Sequence, residues 1–87
     1  MTYNPLSLII EKMQYDKLGL YIKQKREKEN ISLNKFAINN DIDSAILSRI
    51  ENLKQNIKLN VLVKIANGFN QSPADFLTEF EKSDIRL

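Results

Sequence analysis

The chain has 87 residues, with 13 Lys and Arg against 11 Asp and Glu, so its formal net charge is only +2. The 43% hydrophobic and 28% charged residues fit one small globular domain rather than a disordered segment. Cys and His are both absent, which excludes disulfides, the common zinc sites and a histidine general base. We therefore expect no metal, no cofactor and no enzymatic activity.

The charges are unevenly distributed along the chain. Residues 1–64 carry 11 basic against 7 acidic side chains, whereas residues 65–87 carry 2 against 4. A basic body with an acidic tail suits a nucleic-acid partner, although ordinary solvated helix faces explain the charges equally well. No apolar run approaches the roughly 20 residues that span a bilayer. The N-terminus lacks the pattern of a signal peptide, so we expect a cytoplasmic location and no membrane partner.

Helices are predicted for most of the chain, because it contains two Gly, two Pro and no sustained strand-like alternation. Asn4 and Pro5 are typical of a helix start, and they predict a helix over residues 5–15. Its apolar stripe consists of Leu6, Ile9, Ile10 and Met13. Asp16 is expected to cap a second helix, which ends near residues 29–30.

Four further helices follow from caps and apolar spacing. Ser32 caps a short helix over 33–40, the polar residues 39–41 favour a tight turn, and Asp43 caps a helix over 44–52. A fifth helix starts near Leu59. The Ser72-Pro73-Ala74-Asp75 segment starts the sixth, because a capping Ser precedes Pro and an acidic residue. The expected organisation is a helical extension at 1–15, a domain at 16–81 and a frayed tail at 82–87.

The helices at 33–40 and 44–52, joined by a short turn, have the spacing of a helix-turn-helix. The second helix of such a motif lies in the major groove of DNA, and its first residues reach the base edges. The predicted base contacts are Ser44, Ala45, Ser48 and Arg49. Arg suits a bidentate contact to guanine, and Ser suits either base. The predicted phosphate contacts are Ser32, Lys35, Asn52, Lys54, Gln55, Asn56 and Lys58. Amphipathic helix pairs are common, so spacing alone favours a plain helical bundle over a helix-turn-helix.

Between Leu18 and Leu77 the sequence resembles the phage-repressor and Cro (Xre-type) helix-turn-helix family, the lambda-repressor-like domain. The matching residues are Leu18-Gly19, Ile22, Arg26, Ile31-Ser32, Phe36-Ala37, Ile42, the Ser-Arg-Ile-Glu-Asn segment 48–52, Leu62, Ile65-Ala66 and the segment 72–77. The resemblance implies an all-α, five-helix helix-turn-helix domain with an extra N-terminal helix. It also implies that Arg26 pairs with Glu51 as a structural ion pair.

Three positions depart from the family pattern. Asp41 and Leu53 stand where the family usually has Gly, so we expect Asp41 to adopt a positive φ and Asn52 to take the left-handed position in place of Leu53. Leu33 stands where a phosphate-contacting Gln is common. Asp41 and Asp43 also place negative charge beside the expected phosphate path, and we attribute them to the turn and the cap.

The predicted function is sequence-specific binding of double-stranded DNA by a transcriptional regulator, a repressor or a controller of bacterial or phage origin. The alternative is a protein-interaction module, antitoxin-like or anti-repressor-like, that keeps the fold without reading DNA. The resemblance implies a homodimer, with the N-terminal helix and the Phe76–Phe80 region as candidate interface elements. The apolar stripe of the N-terminal helix is equally compatible with packing on its own domain. No small-molecule ligand is expected, because no separate ligand-binding domain is evident.

Overall fold

The computed structural model describes residues 15–83, with side chains from residue 17 onwards. These residues form five helices: α1 (Tyr15–Lys28), α2 (Leu33–Asn39), α3 (Ser44–Glu51), α4 (Leu59–Gly68) and α5 (Pro73–Lys82). Between residues 15 and 83 there is no β-strand, so the prediction of an all-α, five-helix domain is confirmed. The predicted helix at 5–15 and its apolar stripe lie almost wholly outside the described residues.

Side-chain caps fix the starts of three helices. The Ser32 Oγ accepts a hydrogen bond from the Lys35 N–H at 3.2 Å, and the Ser72 Oγ accepts from the Asp75 N–H at 3.1 Å. Asp43 Oδ1 accepts from two backbone N–H groups at the start of α3, at 2.8 and 3.2 Å. These three predicted caps are confirmed. The predicted Asp16 cap is wrong, because α1 already includes Tyr15 and Asp16 lies inside the helix.

Non-glycine residues with positive φ follow four of the helices: Asn30 (59°), Asp41 (55°), Leu53 (63°) and Asn70 (59°). The prediction for Asp41 is confirmed. The prediction that Asn52 replaces Leu53 in the left-handed region is wrong, because Asn52 has a φ of −96°. Leu53 takes that conformation so that the Lys54 N–H can donate to the Arg49 C=O at 2.8 Å and close the end of α3.

One apolar cluster joins all five helices. Phe69 lies between two other rings, with centroids 4.8 Å from Phe36 and 5.9 Å from Phe76. Phe76 and Phe80 are 0% and 8% exposed, and Tyr21 contacts both rings. Both rings therefore pack in the core of this domain.

Candidate functional site

The pairing of α2 and α3 rests on side chains buried between them. Phe36 and Ala37 on α2 and Leu47 and Ile50 on α3 are at most 2% exposed, and Ile42 in the connecting turn is 7% exposed. Residues 40–43 form the turn, and the Ile42 N–H donates to the Ala37 C=O at 2.8 Å. The two short helices and their turn therefore form a rigid unit that leaves the opposite side of α3 exposed.

Helix α1 holds the end of α3 through a buried ion pair. The Arg26 Nε–H donates to Glu51 Oε2 at 2.9 Å, and Nη2 donates to Oε1 at 2.8 Å. Arg26 Nη1 donates to the Ile31 C=O at 2.7 Å. The hydrogen bonds to Glu51 raise the pKa of Arg26. The pair named from the family resemblance is therefore present, and Arg26 also links the segment before α2.

Gly19 allows α1 to approach α3 closely. A Cβ atom at this position would lie 2.2 Å from the Ile50 carbonyl oxygen, far inside van der Waals contact. Because that oxygen belongs to the backbone of α3, a side chain at residue 19 would force the two helices apart. Gly19 and the ion pair thus set the position of α3 from the same side.

The other side of α3 presents the four predicted base contacts. Ser44, Ala45 and Arg49 are exposed and Ser48 is half-buried. Ser44 and Ser48 are four residues apart, as are Ala45 and Arg49, so the four side chains share one helical face. This face begins at the capped N-terminus of α3 and carries the cationic Arg49 in its last turn.

Three hydrogen bonds orient polar side chains on this face. The Arg49 Nε–H donates to Gln55 Oε1 at 2.8 Å. Asn52 Nδ2 donates to the Ser48 C=O at 2.8 Å and to the Ser48 Oγ at 3.3 Å. The sequence prediction places Gln55 and Asn52 among independent phosphate contacts and includes neither the Arg49–Gln55 interaction nor the Asn52–Ser48 interaction. The Asn52 bond could be foreseen from its i, i+4 spacing, but the Gln55 bond depends on the loop geometry after Leu53.

The remaining predicted phosphate contacts are all exposed, but they differ in whether their polar groups already make hydrogen bonds. Lys35, Lys54, Asn56 and Lys58 are exposed. Ser32 is also exposed, although its hydroxyl already accepts the cap hydrogen bond of α2. Lys58 precedes α4 and makes no side-chain cap bond there. The exposed lysines therefore have charge available for a polyanion near the start of α2 and after α3.

The two acids beside α3 have structural roles. Asp43 accepts the two N–H groups that cap α3. Asp41 holds the turn with a positive φ, and Lys64 Nζ lies 3.5 Å from its carboxylate while donating to its C=O at 2.8 Å. The attribution of these acids to turn and cap is confirmed, and Lys64 offsets part of the negative charge of Asp41.

A second polar cluster, missed by the sequence prediction, lies between α1 and α5. Glu79 accepts from Lys25 Nζ at 3.0 Å and from Gln71 Nε2 at 2.5 Å, and Lys25 Nζ sits 5.3 Å from the centroid of Phe69. The Tyr21 hydroxyl is buried nearby without a hydrogen-bond partner. Burial and then the Glu79 carboxylate raise the pKa of Tyr21 to about 12. No apolar periodicity signals this cluster, because its members come from distant segments.

Residues 15–83 contain no group of three acidic, Cys or His side chains placed to hold a metal ion. None of the helices in this part of the chain is long and apolar enough to cross a membrane.

Comparison with known proteins identifies similar sequences and folds. The model of a family described as "Helix-turn-helix" matches residues 22–76, which is more than half of the chain. The control protein C.MunI from Mycoplasma sp is 35% identical over 60 residues, covering 69% of this chain and 81% of that protein. The crystal structure of the clp gene regulator ClgR from Corynebacterium glutamicum has a similar fold. It aligns with a TM-score of 0.68 at 20% identity, covering 79% of this chain and 73% of the other.

Proposed function

Because the chain belongs to the helix-turn-helix family, we propose that it binds specific double-stranded DNA and regulates transcription. The observation that carries this proposal is the exposed face of α3, which is held rigidly from behind by the buried Arg26–Glu51 pair. A recognition helix presents side chains to base edges and must itself be held in place, and Ser and Arg side chains suit such contacts. The names of the two similar proteins, a control protein and a gene regulator, support a regulatory role over a pure protein-interaction module.

Within this proposal, Ser44, Ala45, Ser48 and Arg49 contact bases in the major groove. Arg49 contacts a guanine, because the guanidinium matches the two acceptors of that base. The side chains that contact phosphate are Ser32, Lys35, Asn52, Lys54, Asn56 and Lys58, whereas the Gln55 amide is hydrogen-bonded to Arg49 and is not assigned to phosphate. The four-residue spacing on α3 and the exposure of the lysines support these assignments. The protein acts without enzymatic chemistry, in the cytoplasm where bacterial or phage DNA is transcribed.

We also propose that the functional unit is a homodimer. One recognition helix reads only a few base pairs, whereas two helices related by a two-fold axis read two half-sites about 34 Å apart. Phe76 and Phe80 are buried within the domain, so the interface falls to other surfaces, with residues 1–15 as the first candidate. Sedimentation of the protein with and without DNA tests this. A monomer in both states, on a site without two-fold symmetry, would refute the dimer.

The proposed function is tested by selecting bound sites from a random duplex pool at about 0.15 M salt. We expect enrichment of a pseudo-palindromic sequence. Lys54→Ala and Lys58→Ala should then weaken binding to selected and scrambled duplexes alike, and each should reduce the salt dependence by about one ion. Failure to enrich any sequence, with the protein folded, would refute sequence-specific binding.

A further inference from the structure

The loop after α3 returns alongside the helix instead of leaving it. Leu53 has a φ of 63°, its N–H donates to the Ile50 C=O at 3.2 Å, and the Lys54 N–H donates to the Arg49 C=O at 2.8 Å. These bonds reverse the chain directly beside Arg49. Ile57, four residues after Leu53, is partly buried against the core and anchors the other end of the loop.

This reversal brings Gln55 to the side chain of Arg49. The Arg49 Nε–H donates to Gln55 Oε1 at 2.8 Å, and Gln55 is half-buried while Arg49 is exposed. Because the Nε of Arg can only donate, the amide of Gln55 must present its oxygen here and turn its NH₂ group away. The orientation of the Gln55 amide is therefore set by Arg49, and the tilt of the guanidinium is set by Gln55.

The hydrogen bond also selects which edge of Arg49 remains available. A guanidinium can make a two-point contact either with its Nε and one Nη or with its two terminal Nη groups. The Nε is engaged by Gln55, so the terminal Nη1–Nη2 edge is left for the O6 and N7 acceptors of guanine. Restricting an exposed, rotamer-rich side chain in advance also reduces the entropy lost on binding.

We propose that Gln55 is a positioning residue that sets the base preference of Arg49, an inference that rests on the proposed DNA-binding function. Gln55 acts through Arg49 and is not itself a sequence-reading or a simple phosphate contact. The specificity of this chain is therefore encoded partly outside its recognition helix, in the loop residue that holds the arginine.

The test compares three single variants on the duplex selected by the wild-type protein and on duplexes with each base changed in turn. Gln55→Leu keeps a similar size but removes the acceptor. We expect its preference for guanine at the base pair contacted by Arg49 to fall about two- to tenfold, which corresponds to one hydrogen bond. The preference at the other base pairs should be unchanged. Gln55→Glu retains an acceptor, so it should keep the preference while binding every duplex more weakly.

Asn56→Leu is the matched control, because Asn56 is an exposed neighbouring amide in the same loop. Because Asn56 is a proposed phosphate contact, the variant should weaken binding to all duplexes equally and leave the base preference at the pair contacted by Arg49 unchanged. In an Arg49→Ala background, Gln55→Leu should have no further effect on base preference. If Gln55→Leu instead weakens selected and scrambled duplexes equally, Gln55 is a phosphate contact and the inference is wrong.

A measurement without DNA separates this inference from the proposed function. In NMR spectra of the free protein, the Arg49 Nε–H signal should shift and exchange faster with water in Gln55→Leu than in the wild-type protein. An identical signal in both would overturn the positioning role even if the protein binds DNA specifically. If the wild-type protein enriches no sequence, the proposed function fails and the inference fails with it.

Discussion

Two arginines donate side-chain hydrogen bonds on opposite sides of α3, Arg26 from α1 and Arg49 from α3 itself. Arg26 donates to a carboxylate on the buried side of the helix, where the side chains of the pair are 8% and 2% exposed. Arg49 donates to an amide oxygen on the exposed side. Charges removed from water are strongly destabilising when a partner is lost, whereas exposed ones contribute little. The buried side of α3 thus carries the residues that fix the position of the helix, and the exposed side carries those proposed to contact DNA.

The strongest test of this comparison is Glu51→Gln. The variant leaves the Arg26 charge buried without a counter-ion, so we expect the free energy of unfolding to fall by about 3–5 kcal/mol. Chemical denaturation at neutral pH measures this. Glu79→Gln is the control, because Glu79 pairs with Lys25 on the surface, and it should cost no more than about 1 kcal/mol. Equal losses in the two variants would mean that burial does not distinguish the pairs.

Tyr21 extends the comparison to a buried polar group without a hydrogen-bond partner. Burial raises its pKa from 10.0 to about 12, so the unfolded chain loses the proton first as the pH rises. Below pH 10 the tyrosine is protonated in both states, so the free energy of unfolding keeps its full value. Between pH 10 and 12 only the unfolded chain ionises Tyr21, and the free energy of unfolding falls by about 2–3 kcal/mol. Tyr21→Phe should lack this component, and the other two tyrosines are common to both proteins. Parallel stability curves for the two proteins above pH 10 would contradict the prediction.

On the exposed side of α3, Arg49→Ala should weaken DNA binding and leave stability nearly unchanged, whereas Glu51→Gln lowers stability. We expect the free energy of unfolding to change by no more than about 0.5 kcal/mol. Binding to the selected duplex should weaken by about 1–3 kcal/mol, with relaxed preference at one position per half-site. Thermal melting and titration with selected and scrambled duplexes measure both quantities. Equal loss on both duplexes would identify Arg49 as a phosphate contact.

The smallest effect is expected at the junction of the two sides, where Leu53 ends α3. A left-handed conformation costs a non-glycine residue about 1 kcal/mol, so Leu53→Gly should stabilise the domain by up to about 1 kcal/mol. Leu53→Ala keeps the Cβ and loses packing, so it should be less stable than the wild-type protein. Thermal melts of the pair decide the sign. Destabilisation by both substitutions would show that packing of the Leu53 side chain outweighs the backbone strain.

The sequence predicts those features of this domain that depend on local chemistry. Ser32, Asp43 and Ser72 cap helices through backbone groups two or three residues away, so short patterns suffice. The Arg26–Glu51 pair joins residues 25 positions apart and was accessible only through family resemblance. The Arg49–Gln55 bond was missed, because it depends on an unusual left-handed leucine that the sequence pattern assigned to its neighbour. The packing of Phe80 against Tyr21 is evident only from the structure, because the sequence does not show which residues an apolar side chain contacts.

The three hydrogen bonds of Arg26 have a consequence for motion. One guanidinium joins α1, the segment at Ile31 and the end of α3. Helices α1 and α3 cannot separate without stranding a buried charge, and the Ile31 segment cannot detach without losing its hydrogen bond to the same guanidinium. Segments linked in this way open as one cooperative unit rather than by local fraying. In hydrogen exchange, we expect the interior amides of α1 and α3 to share one opening free energy, close to that of global unfolding. The reading surface would then remain intact for as long as the protein is folded.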